Sequence, residues 1–426
     1  MLTLPSGPVG VHIAGMSGEG AQRGNVLLEA GRRFGFEPGL FARLLAPGFH
    51  KLLDRLDQGL EAGSITARLP DGTTRRLGGR ALGFEGEVHI RDWRALLRLA
   101  TGGSVGWYQA WEAGEWTSPD PVTLFAAFAA NAANLGEEGR AKGPWRLASR
   151  ALHWLNRNTR GQAEKNIHAH YDLGNDFYGA WLDPTMSYSS AWRFGRDGLE
   201  AGQRRKWDRL AERLGAPETL LEIGCGWGAL ASHFAHAGSR VTAISLSDEQ
   251  LAWARAHHPQ VEFLKQDYRD TSGQFDGVVS VEMVEALGRE YWPTFFDCLA
   301  RNLKPGGRAA IQFIAMRDDL FEAYARNADF IQAYVFPGGL LIKTGEFRRL
   351  AAERGLSWED QEDFGRDYAE TLNTWRASFD AAETQARLPA GFDRRFCDLW
   401  RFYLMYCEGG FRAGAITVSQ VTLVKE

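Results

Sequence analysis

From Thr219 onward, short apolar runs alternate with amphipathic stretches of helical length. "TLLEIG" (219–224), "RVTAISLS" (240–247), "VEFLKQ" (261–266), "FDGVVSV" (275–281) and "RAAIQFIA" (308–315) predict strands. Between them, "GALASHFAHAG", "DEQLAWARAHH" and "EYWPTFFDCLARNLKPGG" predict helices, the last closing in a Lys-Pro-Gly-Gly turn. This alternation implies an α/β fold with a doubly wound parallel sheet. The tail, "GAITVSQVTLVKE", alternates as a member of a final antiparallel edge pair would.

The first 135 residues are patterned differently. "SITARLPDGTTRRLGG" predicts two strands about a Pro-Asp-Gly turn, and "RDWRALLRLATGG" a helix closed by its glycines. "SPDPVTLFAAFAANAANL" predicts a further helix capped by Ser118 or Asp120. Together these predict a small α+β domain over 1–135. Residues 136–165 then hold Trp145, Leu147, Leu152, Trp154 and Leu155 among basic side chains. From Arg140 to Lys165 there are seven basic residues and one acid. A basic amphipathic helix fits an anionic membrane surface; a solvated linker helix accounts for the same pattern. The third region is 166–426.

Composition narrows the functional classes. Of 426 residues, 44% are hydrophobic and 24% charged, so the chain can fill two or three domain cores. A net charge of −4 gives no reason to expect nucleic acid as a partner. Cys225, Cys298, Cys397 and Cys407 form no CxxC pair, which favours a reducing cytoplasm and offers no zinc or redox motif. The start lacks the features of a secretory signal, and "PVTLFAAFAANAANL" is too short to span a bilayer, so contact with lipid is expected to be peripheral, at the inner face of the membrane. His168, His170 and Asp172 are spaced like metal ligands, but no further histidine follows at ligand spacing, and no metal is expected.

The first strand of the α/β region runs into "EIGCGWG". Gly224, Gly226 and Gly228 allow a sharp turn and a close approach of ligand to backbone. The spacing is GxGxG rather than the GxGxxG of a dinucleotide cradle. Glu222, just before the glycines, suits an ammonium group reached through water, which favours S-adenosylmethionine over NAD. A ribose-binding acid is the usual end of the second strand in methyltransferases of this fold. Here the position holds Ser245 and Leu246, and Gln250 on the next helix is the substitute, since an amide also bridges two hydroxyls. Asp267 and Tyr268 in "KQDYRD" are placed to read the adenine edge and cover its face.

"NIHAHYDLGNDFYGAWLDPTMSYSSAW", "LLEIGCGWG", "SVEMVEALG", "YVFPGG", "DYAETLNTW" and "FYLMYCEGGFRAG" follow in order. With these motifs the chain from about 166 to its end resembles the cyclopropane fatty acyl phospholipid synthases and their mycolic acid relatives. The N-terminal region is similar to the lipid-carrier-like domain of longer members.

The resemblance implies a seven-stranded methyltransferase sheet with its last strand antiparallel, and a homodimer paired through the N-terminal domains. It also implies S-adenosylmethionine as methyl donor, an unsaturated acyl chain of a membrane phospholipid as substrate, and a bound bicarbonate as base. Carried over by residue, Glu285, Tyr368 and the backbone of Ile314 belong to the bicarbonate shell. Ser190 and Gln312 stand where the family has Cys and His, and both side chains still offer a hydrogen bond to an anion. Tyr188 and Ser189 match contacts to the carboxylate end of the cofactor. Tyr171 matches an aromatic beside the reacting chain, and Cys407 a lining thiol. The two departures leave a methyl- or methylene-branched product as the alternative to a cyclopropane. A methyltransferase of small molecules or proteins and a non-catalytic lipid-binding protein are the competing classes. The apolar stretch "FIQAYVFPGG" argues against the first, the intact glycine loop and Glu285 against the second.

Overall fold

The computed structural model describes residues 23–32, 46–135, 173–327 and 329–426. The basic segment 136–165, Tyr171, and the triplet of His168, His170 and Asp172 lie outside the described residues.

The larger sheet is built from β5 (Thr219–Ile223), β6 (Arg240–Ser245), β7 (Glu262–Lys265), β8 (Phe275–Val281), β9 (Leu303–Met316), β10 (Leu356–Asp363) and β11 (Ile416–Lys425), in the order β10-β11-β9-β8-β5-β6-β7. β7, β6, β5, β8 and β9 run parallel. β11 pairs antiparallel with both β9 and β10. The tail strand therefore lies inside the sheet, and β10, which no sequence pattern above singled out, is the edge. Its sequence, "LSWEDQED", is largely polar because much of it faces water. The Lys-Pro-Gly-Gly stretch expected as a turn is continuous with β9.

A second sheet precedes it. β1 (Ala62–Arg68), β2 (Thr74–Gly78), β3 (Ala81–Ile90) and β4 (Trp116–Thr117) are ordered β2-β1-β3-β4. β1 and β2 form the expected hairpin. The helix Arg94–Glu112 does not stop at Gly102 and Gly103. Gly103 takes φ 58°, ψ −137°, kinking the helix, which resumes to Glu112. Only glycine reaches such a backbone without strain, so what reads as a terminator is a bend. Asp120 caps the helix Pro121–Ala130, its carboxylate accepting from the Thr123 N–H.

One hydrophobic core runs through both parts. Leu53, Ile65, Trp116 and Phe125 from the first pack in the same buried cluster as Trp375 and Trp400 on the C-terminal helices Gly365–Thr384 and Arg394–Arg412. Two further clusters cover the two faces of the large sheet. The parallel strands thus end in a fixed frame, and loops at their carboxyl ends form the site.

Candidate active site

A cleft opens at the carboxyl ends of β5, β6 and β8. It is lined by Tyr188, Ser189, Glu222, Gly224, Gly226, Ser245, Leu246, Gln250, Asp267 and Tyr268, all expected above as cofactor contacts. Gly224, Gly226 and Gly228 all have positive φ, yet their surroundings differ. A Cβ on Gly228 would lie 2.6 Å from the Phe263 ring, so that glycine serves packing. A Cβ on Gly226 would meet no described atom within 4 Å, so its bare face opens into the cleft.

Glu222 is buried, and among the described residues its Oε2 has no hydrogen-bond partner. Burial pushes its carboxyl well above the usual range, opposed by the Ala231 N–H and the Lys206 ammonium. An orphaned acceptor beside an open glycine face fits a ligand that brings an ammonium group. Ser245 donates to the Gln250 amide oxygen at 3.4 Å at the end of β6, and both line the cleft. Tyr268 faces the cleft with its ring edge-on to Phe295. Asp267 is more committed than expected: both of its oxygens engage Arg269, at 2.9 and 2.5 Å.

Lys206 was not singled out from the sequence. It is 1% exposed, lines the cleft, and donates from Nζ to Ser189 Oγ at 2.7 Å. Burial lowers its ammonium to about 8 against the pull of Glu282, Asp183 and Glu222. Gln203, one turn earlier, donates to the Ser189 carbonyl at 2.9 Å. Polar side chains at positions 203 and 206, on the buried stripe that also holds Trp207, Leu210 and Leu214, were the available signal.

Behind the cleft lies an apolar cavity of about 430 Å³. Tyr188, Glu282, Ala286, Phe336 and Gly339 line both spaces and form their junction. Glu282 is the centre of the site. Its Oε1 accepts from the Ser190 N–H at 2.9 Å and from Gln312 Nε2 at 2.7 Å, and its Oε2 accepts from the Tyr368 hydroxyl at 2.6 Å. Three of the positions assigned to an anion shell therefore close on a carboxylate of the chain itself. The Ser190 hydroxyl does not take part, contrary to expectation. It donates to the Ala191 carbonyl at 2.8 Å, and the backbone N–H makes the contact instead. Gln312 is oriented by Gln420, its partner across β9 and β11, whose Nε2 donates to Gln312 Oε1 at 3.0 Å.

Glu282 has φ 51°, the left-handed region that non-glycine residues seldom occupy. Strain of this kind persists where surrounding contacts over-determine it, here the three donors. Glu282 stands beside Glu285 in "SVEMVEALG", and nothing in the string separates their roles.

Glu285 lines the apolar cavity. Its Oε1 accepts from the Ile314 N–H, and its buried Oε2 has no partner among the described residues. Burial, aided by the charge of Glu282, raises its carboxyl to about 8. Burial also raises Glu282, but Tyr368, Lys206, Ser190 and Gln312 all counter it. Burial thus favours the protonated form of Glu285, while four neighbouring groups favour the ionised form of Glu282. Around them stand aromatic faces. The Tyr188 and Tyr403 hydroxyls are 2.9 Å apart, and Tyr368 stacks on Phe411 with centroids at 4.3 Å. Cys407 also lines the cavity, its thiol pushed up by burial.

The family model "mycolic acid cyclopropane synthetase" matches residues 158–421. The tuberculostearic acid methyltransferase UfaA1 of Mycobacterium tuberculosis is 36% identical over 77% of this chain and 81% of its own. The cyclopropane-fatty-acyl-phospholipid synthase of Escherichia coli is 38% identical over 59% of this chain and 65% of its own. Among solved structures, the mycolic acid cyclopropane synthase CmaA1, complexed with SAH and CTAB, is 29% identical with a TM-score of 0.57, over 62% of this chain and 98% of that one. These likenesses agree with the cleft, the glycine loop and the sheet. The chain belongs to the mycolic acid cyclopropane synthetase family and is an S-adenosylmethionine-dependent fatty acid methyltransferase.

Proposed function

We propose that the enzyme methylates the cis double bond of an unsaturated acyl chain in a membrane phospholipid, that Glu282 is its base, and that the product is a cyclopropane. The observation that carries this reading is the convergence of Ser190, Gln312 and Tyr368 on Glu282 where the cofactor cleft meets the apolar cavity.

S-adenosylmethionine, when bound, supplies an electrophilic methyl group and leaves as S-adenosylhomocysteine. Tyr188, Ser189, Lys206 and Glu222 hold its amino-acid end, Gln250 and Ser245 the ribose, and Asp267 and Tyr268 the adenine. The apolar cavity holds the alkene dry and in line. Methylation leaves a cation on the neighbouring carbon, which the faces of Tyr188, Tyr368 and Tyr403 and the charge of Glu282 stabilise. Oε1 of Glu282 already accepts two hydrogen bonds and Oε2 one, so a lone pair on Oε2 is left for a proton. It takes that proton from the new methyl group. The C–H electron pair closes onto the cationic carbon and completes the ring. Glu285, being neutral, adds no second negative charge. No bicarbonate is needed, because Glu282 fills the shell.

A second product is favoured by the likeness to a tuberculostearic acid methyltransferase. If hydride first migrates from the methylated carbon to the cation, loss of the same proton leaves a methylene branch instead of a ring. We further place the enzyme in the cytoplasm, at the inner face of the membrane, held by the basic segment 140–165. Among the described residues no helix is long and apolar enough to cross a bilayer.

The test is purified enzyme with S-adenosylmethionine and vesicles of cis-unsaturated phospholipid, with and without bicarbonate. Mass gain of one CH2 with loss of both vinyl proton signals means a ring, and new terminal-methylene signals mean a branch. An absolute requirement for added bicarbonate would remove Glu282 from the role of base.

A further inference from the structure

The apolar cavity is not a property of the methyltransferase sheet alone. Its walls include Leu99 and Trp107 on the helix Arg94–Glu112, Phe128 and Ala129 on the helix Pro121–Ala130, and Ala132 in the turn beyond. None of these lines the cofactor cleft. One cavity is thus lined both by Glu282 and by the N-terminal helices.

These helices are fixed against the rest of the enzyme. A Cβ on Gly409 would fall 2.6 Å from Phe125 Cβ and 3.0 Å from the Ala126 nitrogen, so the helices Pro121–Ala130 and Arg394–Arg412 touch backbone to backbone. Gln109 Nε2 donates to the Tyr334 hydroxyl at 3.1 Å. At the Gly103 kink, Ser104 Oγ accepts from the Phe330 N–H at 3.0 Å. The Tyr108 ring lies 5.0 Å from that of Phe330 and 5.1 Å from that of Phe402. A wall held this closely has a definite position relative to Glu282.

We infer that the N-terminal helices measure the acyl chain: Phe128, Ala129 and Ala132 limit how much chain lies beyond the double bond, and so select which double bond meets the base. The inference rests on the reading that this cavity takes the acyl chain. The end that enters is the methyl terminus, because the other end carries the charged glycerophosphate, which an apolar cavity excludes. Ala129 and Ala132 are small and leave room; Phe128 fills it.

The experiment uses the full chain and mixed vesicles containing palmitoleoyl and oleoyl phospholipids. The palmitoleoyl chain is two methylenes shorter beyond its double bond. Ala132→Phe should shift product toward palmitoleoyl chains by roughly tenfold, and Phe128→Ala should shift it toward oleoyl chains, as expected for two buried methylenes gained or lost. S-adenosylhomocysteine affinity should stay at the parental value in both, which confirms folding. Should Ala132→Phe fail to fold, Phe128→Ala alone decides. A palmitoleoyl-to-oleoyl ratio equal to the parent's, or equal loss on both chains with cofactor affinity intact, overturns the measuring role. A parent enzyme that modifies neither lipid would instead overturn the proposed function.

Discussion

The Tyr368 hydroxyl donates to Glu282 Oε2 at 2.6 Å, tying the helix Gly365–Thr384 to the residue that follows β8. With the Ser190 N–H and Gln312 Nε2 on the other oxygen, Glu282 is held from three separate elements. In the proposed reaction, a carboxylate so placed replaces a bound anion.

Glu282→Gly is the direct test of that replacement. Glycine suits the φ of 51°, recovering on the order of 1 kcal/mol of backbone strain, and it leaves the three donors facing an open space. Without additives, turnover should fall by roughly a hundredfold or more, the usual worth of a positioned base. Millimolar bicarbonate should restore part of it, while the parent responds to bicarbonate weakly. Initial rates of lipid methylation against bicarbonate concentration read this out. A variant that no anion rescues, alongside a parent that depends on bicarbonate, would return the base to a bound ion.

Gly226 and Gly228 should separate cofactor binding from packing. Gly226→Val places its side chain where no described atom stands, so calorimetric titration should show S-adenosylhomocysteine affinity lost. Its folding stability should fall only by the left-handed backbone cost, about 1–2 kcal/mol. Gly228→Ala collides with Phe263 at 2.6 Å and should cost stability first. Near-normal affinity in Gly226→Val would detach the loop from the cofactor.

Lys206→Met keeps the volume and removes the cation behind Ser189. S-adenosylmethionine affinity should drop by roughly tenfold, the size of one charge-assisted hydrogen bond. In the parent, affinity should weaken as pH rises through about 8, where the buried ammonium loses its proton, and that step should vanish in the variant. If both proteins bind equally well across this range, Lys206 only orients Ser189.

Glu285 gives stability a pH dependence. Its folded carboxyl titrates near 8, above the usual 4.5, so its contribution is complete below about 4.5 and is lost as pH rises through 8. Glu285→Gln should flatten the fall in melting temperature across that window. Some slope should persist, since Glu222 and Glu282 are raised in the same direction. An unaltered slope would mean that Glu285 is ionised in the folded protein.

Much of this was legible in the sequence where one residue type answers one physical demand. The glycine loop and the strand–helix alternation were of this kind, as were the Asp120 cap and the β1–β2 turn. What escaped depended on partners far along the chain. Glu282 and Glu285 differ by three positions, and their surroundings are set by Ser190, Gln312, Tyr368 and Ile314, which the fold brings from three places. Lys206 reads as a surface residue until its helix is known to pack against the cleft. The glycines at 102 and 103 read as a stop because a terminator and a kink use the same residue.

The contact at Gly409 also bears on how the protein comes apart. Because the helix Arg394–Arg412 meets Phe125 and Ala126 without room for a methyl group, and because Trp116, Phe125, Trp375 and Trp400 share one core, neither part can melt while the other keeps its buried surface. Heating should therefore give a single cooperative transition in which the N-terminal helices and the methyltransferase sheet are lost together.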